Sequence, residues 1–114
     1  MTWSGFRPSD DACTYGYLVP SNMFAVVVLG YLEEIARLIV ESSDLAKAAA
    51  ELRKEIYDGI ENFAITCKEG YGEVYAYEVD GYGQFNLMDD ANVPSLLSMD
   101  YLGYEGKIRI RRYL

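Results

Sequence analysis

Thiols, cations and long apolar runs are all scarce in this chain, and each shortage excludes something. Two cysteines, Cys13 and Cys67, are too few for a disulfide framework. Without a secretory leader they read as small, reduced, buried hydrophobes, which points to a cytoplasmic protein. Lysine and arginine number 10 against 18 aspartates and glutamates, giving a formal net charge of -8 and a pI near 4.4. So acidic a chain repels polyanions at long range, which excludes nucleic acid and an anionic membrane as partners and favours a neutral or cationic ligand. No stretch approaches the ~20 consecutive apolar residues of a membrane-spanning helix. The N-terminus lacks the charged and apolar regions of a signal peptide. Internal repeats, low-complexity segments and interdomain linkers are missing as well. What is present is globular in kind, with 51% hydrophobic and 25% charged residues, and the 114 residues suffice for a single small domain with a modest core.

Gly5, Pro8 and Gly16 punctuate residues 2–19, so that stretch reads as loop with short extended pieces. Pro20-Ser21-Asn22 is a helix start with Ser21 as N-cap. From Met23 to Val40 the chain is apolar on nearly every face until Glu33, Glu34 and Arg37, the pattern of a helix buried among other helices. Little in the chain can cover it, so self-association through an exposed face of this helix is expected. Gly30 in its middle suggests a closely packed neighbour, since glycine there costs up to about 1 kcal/mol in propensity.

Ser42 or Ser43 caps a second helix over Asp44–Ala64. Leu45, Ala49, Leu52, Ile56, Ile60 and Phe63 recur at three- and four-residue spacings, leaving Lys47, Glu51, Arg53, Lys54, Asp58 and Glu61 for a solvated face. Lys47 with Glu51 and Lys54 with Asp58 are helix neighbours contributing tenths of a kcal/mol each. Cys67-Lys68-Glu69-Gly70 ends the helical hairpin. Glu73–Val79 favours a strand, Asp80-Gly81-Tyr82-Gly83 a turn and Gln84–Met88 a returning strand. Pro94 suits the first turn of a short helix through Ser98, and the cationic tail from Glu105 is expected to fray or to run along a sheet edge. The fold class is therefore mainly α with a β-hairpin insertion.

Two acidic pairs carry the chemistry. Trp3-Ser4-Gly5-Phe6-Arg7-Pro8-Ser9-Asp10-Asp11 concentrates an arginine and two carboxylates among aromatic residues, and Asn86-Leu87-Met88-Asp89-Asp90-Ala91-Asn92-Val93-Pro94 sets a second pair in an apolar frame. Carboxylates framed by rings with polar tips suggest a sugar site. Adjacent Asp10 and Asp11 disfavour each other's ionisation if their side chains converge; otherwise they cap the following residues or pair with Arg7. Arg7 clamps sugar hydroxyls or holds the carboxylates, and either role uses its bidentate donors. Asp89, Asp90 and Asn92 bond a sugar ring or cap the helix near Pro94. Trp3, Tyr15 and Tyr17 are the candidate sugar platforms. A calcium site of Asp10, Asp11, Asp89 and Asp90 is the weakest alternative, because their spacing matches no EF-hand loop.

The stretches MTWSGFRPSDDACTYGYLVPSNMFAVVVLGYLEEIA and YGEVYAYEVDGYGQFNLMDDANVPSLLSMDYLGY resemble glycoside hydrolase family 125, the exo-acting, metal-independent α-mannosidases that prefer α-1,6 linkages. The resemblance runs from Met1 to about Tyr104. It implies an (α/α)6 barrel several times longer than this chain, so residues 1–114 would form one partial domain from its middle: two long helices, a hairpin and a short helix. It also implies inversion, in which a carboxylic acid protonates the leaving oxygen while a carboxylate about 6.5–9.5 Å away activates water. The acid would be a buried aspartate of the Asp10 and Asp11 pair, with Asp10 preferred. The base, a glutamate C-terminal to the matched region, has no counterpart, so the isolated chain is expected to hydrolyse no mannoside. The implied substrate is a mannose-containing oligosaccharide or N-glycan, with no metal and no cofactor. The competing expectation is a non-catalytic carbohydrate- or protein-binding α+β domain.

Overall fold

In a computed structural model that describes residues 1–108, the largest packing interface lies between two long helices, α1 (Val19–Leu38) and α2 (Ser43–Phe63). A short strand, β1 (Tyr17–Leu18), leads directly into α1, and Pro20 sits in the first helical turn, where its fixed φ and missing N–H carry no penalty. The helix thus starts ahead of Ser21, which caps nothing; Leu18 holds the cap position without a side-chain bond. Ser42 does cap α2, its hydroxyl accepting from the Leu45 N–H at 3.3 Å.

Val19, Met23, Val26, Val27 and Ala36 of α1 are buried, with Ile56 and Ile60 of α2 completing the interhelix core. Arg53 crosses α1 at Gly30, 3.3 Å from where a Cβ would stand, and donates to the Val26 carbonyl at 3.3 Å. That is the close neighbour the glycine implied. The stripe expected on α2 is narrower than its spacing suggested: Ala46, Ala49, Ile56 and Ile60 are buried, whereas Leu45, Leu52 and Phe63 are exposed. Glu61 is no part of a solvated face. It is buried and accepts hydrogen bonds from the Tyr75 and Tyr104 hydroxyls and the Lys107 N–H, enough donors to satisfy a carboxylate away from water.

The expected strand over Glu73–Val79 divides in two. Its first half, β3 (Gly72–Tyr75), pairs with β2 (Ile65–Lys68), a strand in the stretch read as the end of the helical hairpin. Its second half, β4 (Glu78–Val79), lies between β1 and β5 (Phe85–Asn86) in a three-stranded antiparallel sheet. The crossover comes at Ala76, whose N–H still donates to Ala64, and Tyr77, whose N–H donates to Asn86. Residues 94–98 form a bend and a turn rather than a helix, with the Asp89 carboxylate accepting from the Leu96 and Leu97 N–H groups; α3 (Met99–Leu102) follows instead. Residues 109–114 of the cationic tail lie outside the described residues.

The result is mainly helical with small antiparallel sheets. One side of α1 remains uncovered, with Phe24, Val28, Tyr31, Ile35 and Leu38 exposed. By length and composition α1 is also apolar enough to cross a membrane, and a third of its most apolar window is buried in this fold.

Candidate functional site

Residues 4–16 double back on themselves. The Ser4 N–H donates to Gly16 at 2.8 Å, the Cys13 N–H to Gly5 at 2.9 Å and the Arg7 N–H to Asp11 at 2.8 Å, while Phe6 opposes Ala12. Pro8 and Ser9 make the turn, and Asp10 closes it with φ 68, a left-handed conformation that aspartate tolerates better than most residues. Trp3 lies over the open end of this hairpin: a Cβ at Gly16 would stand 1.8 Å from its Nε1, so only glycine leaves room for the indole.

Asp10 and Asp11 therefore sit at a hairpin tip, and both are exposed. The buried aspartate expected at this position is not found, because a projecting tip has protein on one flank only. The tip is nonetheless close to the second acidic cluster. Ser9 donates to Asp11 Oδ2 at 2.8 Å, and Tyr77, the ring beside Arg7, links the hairpin to Asp90. Asp90 in turn accepts from the Tyr77 hydroxyl at 3.1 Å and from the Asn92 N–H at 2.9 Å. The Asn92 amide foremost, then the Asn92, Tyr77 and Ser9 side chains, hold the Asp90 carboxyl below its ordinary range against the desolvation that opposes them. Burial, reinforced by Asp90 as acceptor, pushes the Tyr77 hydroxyl up.

Beneath the hairpin lies Glu78, fully buried at the centre of the three-stranded sheet. Its Oε1 accepts from Arg7 Nε at 3.2 Å, from Arg7 Nη2 and from Asn86 Nδ2 at 2.8 Å; its Oε2 accepts from the Thr14 N–H at 2.9 Å. Burial acts to raise the Glu78 pKa, but the Arg7, Asn86 and Cys13 hydrogen bonds and the Arg7 charge together pull it below the ordinary value. Arg7 is raised by the same pairing. Its guanidinium also lies 5.7 Å from the centre of the Tyr77 ring, within cation–π reach.

Of the residues singled out in the sequence, Arg7, Asp11, Asp90 and Asn92 fall within one connected polar network, with Asp10 on the same tip. Trp3, 72% exposed, stands on the same hairpin with its ring free to meet a ligand. Asp89 is occupied in holding the Leu96 and Leu97 amides. Tyr15 is half-buried, and Tyr17 turns toward Gly81, lining a separate cleft with Asp80 and Tyr82. A more apolar hollow between β2, β3 and residues 87–97 includes Asp89 but no residue of the hairpin. Among the described residues no three acidic or thiol groups converge to hold a metal ion. Sequence reasoning missed Ser9, Thr14, Tyr77, Asn86 and the part played by Glu78. The one available signal was a lone glutamate set in the apolar and aromatic run Val74-Tyr75-Ala76-Tyr77-Glu78-Val79.

The comparisons agree with one another. A family model described as "Metal-independent alpha-mannosidase (GH125)" matches residues 1–109. The chain is 48% identical over 101 residues to the "Meiotically up-regulated gene 157 protein" of Schizosaccharomyces pombe, covering 89% of this chain and 20% of that protein. It superposes with a TM-score of 0.88, at 54% identity, on a Streptococcus pneumoniae structure from a family of metal-independent α-mannosidases, a non-productive substrate complex with α-1,6-mannobiose. That match covers 92% of this chain and 25% of the streptococcal one. The chain thus spans a fifth to a quarter of the length of these two relatives.

Proposed function

Since the chain belongs to the metal-independent α-mannosidase family of glycoside hydrolases, GH125, we propose that it is a portion of an inverting exo-α-mannosidase acting on α-1,6-linked mannosides. In this reading it supplies the acid-bearing hairpin and part of the sugar subsite of an (α/α)6 barrel. The observation that supports it most is the joining of the two acidic loops: Glu78 bonds Arg7 of the hairpin and Asn86 at the root of the second loop, and Tyr77, whose ring lies beside the Arg7 guanidinium, donates to Asp90. The two acidic clusters, far apart in sequence, are thereby held on neighbouring loops, and the exposed Trp3 ring stands at the open end of the same hairpin. Asp10, or Asp11 beside it, gives its proton to the departing mannosyl oxygen, and in this reading the remainder of the barrel shields the two carboxyls that are exposed in this chain. Asp90 and Asn92 accept from and donate to ring hydroxyls, and Trp3 stacks on the apolar sugar face.

The base comes from outside these 114 residues. Glu78 is buried against Arg7 and Glu61 against two tyrosines, so neither can reach a water on the far side of a sugar. Titration of the purified chain with α-1,6-mannobiose, followed by fluorescence of Trp3, its single tryptophan, is expected to give a weak saturable change and no release of mannose. Mannose release abolished by Asp10→Asn would overturn the placement of the base. Absence of any fluorescence change, with no shift in the backbone NMR resonances of residues 3–16, would remove the sugar subsite.

The exposure of Asp10 and Asp11 favours a second reading, a non-catalytic carbohydrate- or protein-binding domain built on the same scaffold. Sequencing the flanking DNA separates the two. A continuation of the barrel with a glutamate-bearing motif supports the enzyme, and an unrelated neighbour supports the binding domain.

A further inference from the structure

Glu78 takes no part in the chemistry proposed above, yet it gathers more of the site than any other side chain. Its carboxylate, wholly shielded from solvent, meets Arg7 on the outgoing arm of the hairpin, Thr14 on the returning arm and Asn86 on the neighbouring strand. Glu78 and Asn86 are directly paired in register across β4 and β5, so the two side chains share one face of the sheet. Asn86 opens the stretch that runs on to Asp90 and Asn92. A single buried anion thus binds both arms of one acidic loop and the root of the other.

This arrangement bears on Arg7. Both of its donor nitrogens that reach Glu78 are committed to one carboxylate oxygen, a further bond goes to the Thr14 hydroxyl at 3.3 Å, and its side chain is only 14% exposed. A guanidinium held in this way has its plane fixed by Glu78 and only its Nη1 donors left uncommitted. We propose that Glu78 and Arg7 are positioning residues: their buried ion pair sets the hairpin that carries Asp10 and Asp11 against the strand leading to Asp90, and Arg7 serves the carboxylate rather than the substrate. The proposal rests on the sugar-site reading for its ligand but on the geometry alone for the anchor.

The test compares the 114-residue wild type with Glu78→Gln and Arg7→Lys by hydrogen exchange, Trp3 fluorescence and α-1,6-mannobiose titration. Glu78→Gln keeps the shape and removes the charge. It is expected to speed exchange of residues 4–16 by about tenfold, shift the Trp3 emission and weaken mannobiose binding in parallel, with the amides of α1 and α2 unchanged. Arg7→Lys, which keeps a charge but loses the bidentate fork, is expected to do the same to a smaller extent. If Glu78→Gln does not fold, the double variant Arg7→Met/Glu78→Leu replaces the pair by apolar groups of similar volume, an exchange that buried pairs often tolerate. It is expected to keep the helices and loosen the hairpin. Weakened sugar binding in Arg7→Lys with hairpin exchange unaltered would make Arg7 a direct sugar ligand and overturn the proposal, as would unaltered exchange in Glu78→Gln. A loosened hairpin in a chain that binds no sugar supports the anchor and counts against the sugar site instead.

Discussion

Cys13 and Cys67 carry the same thiol into opposite surroundings. Cys67 is exposed on β2, whereas Cys13 is half-buried beside Glu78. Burial first, then the hydrogen bond and charge of Glu78, push the Cys13 thiol up from 9.0 to about 11. The thiolate is the reactive form, so near pH 8 this shift lowers the reactive fraction of Cys13 about a hundredfold. Timed alkylation read by peptide mass spectrometry should therefore modify Cys67 while Cys13 stays largely intact. Glu78→Gln removes a neighbouring negative charge, which lowers the Cys13 pKa and narrows the gap; equal rates in the wild type would show that the thiol does not feel its burial. The same pocket shows what could be read from residues alone. The acidic pair at Asp10 and Asp11 was visible as a motif. Its exposure was not, because that depends on where a hairpin tip points. Glu78 was visible as a strand residue, but its partner Arg7 lies 71 positions away, a distance that local pattern does not span.

At the scale of elements, what was legible followed periodicity and what was not followed long-range pairing. The second long helix stands within a residue of where the apolar spacing put it, and the first was recognised as a helix but begins at Val19 rather than Met23 and ends at Leu38 rather than Val40. β2 was read as the end of a helix because Ile65-Thr66-Cys67-Lys68 is too short to declare itself until Gly72–Tyr75 pairs with it. β1 likewise exists through its pairing with β4. Helix starts offer a sharper contrast. Ser21 has the residue type of a cap but lies inside the first turn of α1, where Pro20 already sets the backbone, whereas Ser42 holds the Leu45 N–H. Ser42→Ala should therefore cost about 1 kcal/mol of unfolding free energy, and Ser21→Ala should stay within roughly 0.5 kcal/mol of wild type. Chemical denaturation of the two variants measures both. A larger loss at Ser21 than at Ser42 would reverse the assignment of the caps.

At the scale of the whole molecule, the uncovered side of α1 decides how the chain behaves in solution. Phe24, Val28, Tyr31, Ile35 and Leu38 fall at alternating spacings of four and three, so they form one stripe along the helix, and Leu38 is 71% exposed. A contiguous exposed apolar stripe of this kind marks an interaction surface. Two such stripes laid together would remove each other's apolar surface, a gain of about 25 cal/mol for every Å² covered. The opposing force is charge: at a formal net charge of -8, copies repel one another, and salt screens that repulsion over about 10 Å at 0.1 M. The expected outcome is self-association that grows with protein concentration and with added salt, followed by size-exclusion chromatography with light scattering. Val28→Glu with Ile35→Lys, both on exposed positions, should return the chain to a monomer without loss of helical circular dichroism. A wild-type chain that stays monomeric at every concentration, even where salt screens the charge, would mean that the stripe does not drive self-association.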